Sequence, residues 1–270
     1  MSLKNLMVHL DSGERTQVRL DIAVAIARQH QARLLGVFGQ RAEPEKVGIV
    51  ATWPSDAYVA AARASKAQFE AATANLGQVE WHDVNRGSDA ELLRQITSIS
   101  RYSDLIIMGQ HDEDANSYVP SELAEEVILN SGRPVLLIPY IGQFAAGFER
   151  PLIAWNNSRE AAHAVSDALP LIENCQEVTV VSLDTQHDAA AAACTELARH
   201  LACHGIKSKT DILMVNDIGI MDMLLNRLTD RDADLLVMGA HGQIGFPFVS
   251  RGAGTRHILR HMTVPVLMAN

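Results

Sequence analysis

The stretch Met238-Gly239-Ala240-His241-Gly242, with Gly252-Ala253-Gly254-Thr255 downstream, ends an apolar run and opens a helical pattern. Glycines at the end of a strand and before a helix let consecutive backbone N–H groups approach phosphate oxygens. No β-carbon intervenes there, and the helix dipole favours negative charge. The lead-in Asp234-Leu-Leu-Val-Met-Gly-Ala-His recurs as Asp104-Leu-Ile-Ile-Met-Gly-Gln-His, where the later glycines do not follow. Pro134-Val-Leu-Leu-Ile answers Pro265-Val-Leu-Met-Ala, and Val8-His-Leu-Asp-Ser answers Ile153-Ala-Trp-Asn-Asn-Ser. The chain therefore reads as a duplication in which each copy opens and closes on a strand. Its 270 residues suffice for two domains, each with its own core.

Short apolar runs alternate with helical patterns, the sequence form of repeated βα units and a parallel sheet. Strands are expected near Leu6–Leu10, Ala32–Phe38, Val79–Val84, Leu105–Met108 and Val135–Ile138. The second set falls near Leu152–Trp155, Glu177–Ser182, Ser208–Leu213, Leu235–Met238 and Val264–Met268. Apolar spacings of three and four mark the helices, as in Leu20, Val24 and Ala27, answered by Ala161, Val165, Ala168 and Leu169. Pro170 is expected to kink or end its helix. Asp188 and Gly205 bracket another helix as N-cap and left-handed C-cap. The segment Gly39–Asp56 reads as a long loop, either a lid or contact surface or a plain insertion. Pro139–Arg150 reads as the connection between domains 1–142 and 150–270.

A formal charge of −9 and a pI near 5.6 disfavour nucleic acid or an anionic membrane as partner, since either wants a basic face. With no apolar run of about 20 residues and no signal-peptide core, the reading is a soluble cytoplasmic protein. Cys175, Cys194 and Cys203 match no metal or redox spacing and read as reduced thiols. His200 and His204 sit four apart on a helical pattern, but without the carboxylate of a metal-binding motif. Arg256, His257, Arg260 and His261 fit cations at a helix C-terminus.

The strand, the spacing G-x(2)-G-x(9)-G, the helix, the closing Pro-Val-Leu-Met strand and a first strand ending in an Asp-Gly-Ser-like turn together resemble the universal stress protein family. The resemblance runs through the chain twice. It implies two tandem α/β domains, each a doubly wound, five-stranded parallel sheet of Rossmann-like form, packed as an internal pseudo-dimer. That packing would bring Val135–Ile138 to face Val264–Met268, and further homo-oligomer formation through Phe246, Phe248 and Val249 would be open. It also implies an adenine nucleotide, ATP or a relative with magnesium as companion ion, in the second domain only. The residues placed around it are Asn156, Ser182, Met238, Gly239, His241, Gly242, Arg251, Gly252, Ala253, Gly254 and Thr255. Gly239, Gly242 and Gly252 would be the phosphate cradle. The alternative is that these glycines serve turn geometry alone.

Two positions depart from the family pattern: Ala253 stands where a serine is frequent, and Asn156 where an aspartate is usual. Asn157 and Ser158 read as helix caps. In the first half the second glycine becomes Asp112, and the third falls at Ser121 or Glu122. Glu113, Asp114, Glu125 and Glu126 stand around them, and carboxylates repel phosphate. Asp11 keeps the family's aspartate but reads as a cap for the turn after it. His111 and His241 occupy one place in both repeats, and retention in the half without glycines favours a structural hydrogen bond over catalysis.

Three functions follow in order. A stress-response module that responds to nucleotide comes first, a nucleotide-free scaffold acting through protein contacts second, and a slow ATP hydrolase last. The hydrolase lacks a general base, a carboxylate pair for metal and a Walker-type lysine.

Overall fold

A computed structural model describes residues 2–42, 45–47, 50–52, 54–84, 88–112, 119–184, 186–214, 219–242 and 252–270. It divides into two compact units, residues 2–133 and residues 134–270.

In the first unit, β1 (Asn5–Leu10), β2 (Arg33–Phe38), β5 (Val79–Asp83) and β6 (Leu105–Gly109) lie in the order β6-β1-β2-β5, all parallel. The three inner strands are apolar on both faces, because helices cover both sides of such a sheet. Leu6, Met7, Val8, Leu34, Leu105, Ile106 and Ile107 are accordingly buried. Each large side chain removed from water in this way contributes about 2 kcal/mol. β5 carries Glu80, His82 and Asp83 exposed at the sheet edge, where charge discourages further strand pairing. α1 (Thr16–His30) packs against β1, β2 and β6, and α2 (Asp56–Thr73) against β2 and β5. α3 (Asp89–Ser100) pairs with α4 (Leu123–Asn130). Within the expected loop 39–56 the chain forms a small antiparallel hairpin, β3 (Glu45–Val47) with β4 (Val50–Thr52). Its strands are too short to carry a period-two signal, which is why the sequence shows only a loop.

In the second unit, β8 (Pro151–Ala154), β9 (Val178–Asp184), β10 (Ser208–Met214), β11 (Leu235–Gly239) and β12 (Val266–Ala269) run parallel in the order β10-β9-β8-β11-β12. β7 (Val135–Ile138) forms where the first half's fifth strand is expected. It lies in this unit, antiparallel to β12, with Leu137 opposite Val266 and Val135 opposite Met268. By contacts, therefore, the division falls at 133/134, ahead of the segment read as the connection.

α5 (Arg159–Ile172) covers β8, β11 and β12, α6 (His187–Cys203) covers β9 and β10, and α7 (Ile220–Asp230) pairs with α8 (Ala253–His261). Pro170 lies inside α5, which stops two residues later at Ile172, in keeping with a residue that cannot donate to the helix. Gln186 is the N-cap of α6, and Asp188 sits in the first turn, where its charge meets the helix dipole without capping it. Gly205 follows with φ +75°, the left-handed stop that was expected. Among the described residues no helix is long and apolar enough to cross a membrane.

Candidate functional site

Chain order reverses between β8 and β11, the point in an open parallel sheet where two adjacent connections leave to opposite sides and a crevice opens at the carboxyl ends. A cleft of about 240 Å³ lies there, just below the roughly 300 Å³ at which ligand pockets begin, so it suits a small molecule. Met238, Gly239, His241, Gly242, Gly252, Gly254 and Thr255 line it from one side, and Ala154, Trp155, Asn156 and Ser158 from the other. Ile220, Met221 and Leu224 of α7 add an apolar wall, with Leu183 and Asp184 at the end of β9. Neither wall was read from the sequence. Only the strand order β9-β8-β11 brings them to the glycines.

The glycines have distinct reasons. A β-carbon on Gly239 would lie 2.5 Å from the backbone nitrogen of Ala161, so Gly239 lets the start of α5 close on β11. Gly252 has φ +81°, and a β-carbon there would lie 2.5 Å from Nδ1 of His241. Gly242 faces polar atoms: a β-carbon there would lie 3.2 Å from Oε2 of Glu160 and 3.6 Å from the Ser158 hydroxyl. Gly239 and Gly252 are thus required by packing.

His241, itself left-handed at φ 54°, donates its backbone N–H to the Thr255 hydroxyl oxygen at 2.8 Å, and its ring lies against Gly252. A structural hydrogen bond, as expected at the strand–loop junction, is made there by the His241 amide. Asn156 accepts from the Ser158 amide at 3.2 Å and hydroxyl at 2.7 Å, while the Ser158 hydroxyl accepts from Ala161 N–H at 3.1 Å. Ser158 is thus the N-cap of α5, as read, and Asn157 takes φ 54°, which asparagine tolerates.

Ser182 does not reach the cleft. It is 3 % exposed and bonds the thiol of Cys194, whose pKa burial pushes up while that bond draws it down. Period-two alternation along β9 sends its neighbour Leu183 to the cleft instead. Ala253 follows Gly252 in α8 without lining the cleft, and Arg251 lies outside the described residues, as do Phe246, Phe248, Val249, Glu113 and Asp114. The N-terminus of α8 carries no acidic residue in its first turn and no side-chain cap. That of α5 carries both, Glu160 and Ser158.

The equivalent place in residues 2–133, at the ends of β1 and β6, is arranged differently. Asp11 accepts from Gly13 N–H at 2.7 Å and from the Thr16 hydroxyl at 2.7 Å, the expected turn cap. It also takes a 2.7 Å ion pair from Nη2 of Arg19, which is 4 % exposed. Arg19 donates further to Thr16 and to the His9 carbonyl, and its Nη1 occupies the space a β-carbon on Gly109 would need. A cation supplied by α1 therefore fills the crevice. Sequence reading missed it, although an arginine among Leu20, Ala23 and Ala27 on a buried helix face was the available signal.

No family model matches the sequence, and no curated protein matches it either. Solved structures do match. A universal stress protein from Archaeoglobus fulgidus is 16 % identical with a TM-score of 0.69, over 98 % of each chain. A candidate universal stress protein from Pseudomonas aeruginosa is 15 % identical with a TM-score of 0.64, over 99 % of this chain and 93 % of that one. A functionally unknown protein from the same organism is 14 % identical with a TM-score of 0.64, over 99 % of this chain and 92 % of that one. The fold of the whole chain is the one these proteins share.

Proposed function

We propose that this chain is a tandem universal stress protein whose second half binds an adenine nucleotide, and that occupancy of the cleft at β8 and β11 regulates a stress response. One observation carries the reading: the N-terminus of α8, free of acidic residues in its first turn, opens beside Gly252 and Gly254 into a cleft with an apolar wall. Such a terminus favours an anion, and the wall from Ile220, Met221 and Leu224 favours a flat ring. The residues fit a nucleotide of modest size. Backbone amides of α8 would take phosphate oxygen, and Asn156 and Asp184 would stand toward the sugar or base edge. ATP, if it is the nucleotide, would carry magnesium as its ordinary counter-ion. The protein then works as a binding module in the cytoplasm rather than as an enzyme.

Denaturing the purified protein and separating the supernatant by ion-exchange chromatography should release an adenine nucleotide in near-stoichiometric amount. Gly242→Asp, which copies Asp112, sets a second carboxylate beside Glu160 and should weaken titrated ATP–magnesium at least tenfold. Equal affinity in parent and variant would remove the nucleotide from this cleft. Failure of any adenine nucleotide to be released or to bind would leave the scaffold as the function.

A further inference from the structure

The two helix N-termini at the cleft are unequal, and the difference is in charge. α8 offers its first turn without a carboxylate, whereas α5 brings Glu160. That side chain is only 12 % exposed; Oε1 lies 3.4 Å from the solvent-exposed guanidinium of Arg159, and Oε2 points toward Gly242. The positive end of α5 is thus already met by the protein's own anion, which stands behind the cleft-lining Gly242 rather than in the lining itself, whereas Asp184 is the carboxylate that lines the cleft, at the end of β9. Like charges a few ångströms apart in a partly closed cleft repel strongly, and bulk salt screens them poorly there.

We infer that Glu160 is a specificity-determining residue that sets the ligand's charge: the cleft accepts adenosine and nucleotides of low net charge, and takes a triphosphate only when a divalent cation neutralises it. The inference rests on the nucleotide reading of the cleft and adds a selection rule to it. If Glu160 served only to complement the α5 dipole, neutralising it would change stability but leave the ranking of ligands alone.

Calorimetric titration of the full chain with adenosine, AMP and ATP, in EDTA and in magnesium, separates these. In the parent protein ATP should bind at least tenfold more weakly in EDTA than in magnesium, a step of about 1.4 kcal/mol. Glu160→Gln, nearly isosteric, should tighten ATP in EDTA about tenfold while moving adenosine by less than twofold. Adenosine binding therefore reports whether the variant has kept its fold. An unchanged ATP affinity in EDTA, with adenosine still bound, would overturn the charge rule and leave the nucleotide site standing. Absence of binding by all three ligands to the parent would overturn both.

Discussion

Arg19→Ala is expected to lower the unfolding free energy by about 3 kcal/mol, read from urea denaturation followed by circular dichroism. The reason is the carboxylate it leaves behind. Removing one member of a buried ion pair typically costs about 3–5 kcal/mol because the partner charge stays out of water uncompensated. The Asp11 side chain retains 11 % exposure, which allows some rehydration and places the loss at the lower end. Arg28→Ala, on the exposed face of the same helix, should change stability by no more than about 0.5 kcal/mol. Equal losses in the two variants would show that the Asp11–Arg19 pair is not what holds the first half's crevice together.

The same pair predicts an acid profile. Burial pushes the Asp11 carboxyl up, but the Arg19 guanidinium, His9 and the hydrogen bonds from Thr16 and Gly13 outweigh it and bring the pKa from 3.8 to about 2. A depressed carboxyl pKa means the unfolded chain binds the proton more readily between those values. The contribution, about 2 kcal/mol, is present in full above the unfolded pKa of 3.8 and is lost as pH falls toward 2. His9, its pKa lowered below 6.5 chiefly by burial and held by a 2.8 Å bond to the Gly39 carbonyl, acts in the same direction and begins at higher pH. In Arg19→Ala the slope of stability between pH 4 and pH 2, about the window of Asp11, should flatten.

Gly239→Val carries the second large effect, about 3 kcal/mol of stability together with loss of the proposed nucleotide binding. Strand propensity alone favours valine in β11. The tertiary contact overrules it, because the new β-carbon would stand 2.5 Å from the Ala161 nitrogen, and backbone cannot step aside as a flexible side chain can. α5 must move outward, carrying with it Ser158 and Glu160, and overpacking of this kind costs about 1–3 kcal/mol. Gly77→Ala, whose β-carbon would meet nothing within 4 Å, is the control and should be nearly neutral. A Gly239→Val protein with parental stability and affinity would show that α5 does not seat on this glycine.

Much of the candidate cleft's lining was legible because glycine spacing is written in the sequence. Gly239, Gly242, Gly252, Gly254 and Thr255 do converge on one cleft, and Asn156 does stand at the end of the adjacent strand. What failed was side-chain direction and partnership. Ser182 belongs to the right strand but the wrong face. Glu160 stands plainly in the sequence, yet its approach to Gly242 depends on the register that pairs Ala154 with Met238.

The amino-acid sequence by itself determined the duplication, the alternation of strand and helix, and nearly every strand position. These rest on local periodicity and on turn residues, which act within a few positions of one another. The tertiary structure alone decided what Gly109 and Gly239 are for. They hold one place in the repeat, Met-Gly after an apolar strand, but one makes room for the Arg19 guanidinium and the other for the backbone of α5. Which neighbour a missing β-carbon admits depends on groups far away in the chain, brought near only by strand order and helix seating. For the same reason the charges beside these glycines, arginine with aspartate in one half and glutamate in the other, could not be read until the elements were packed.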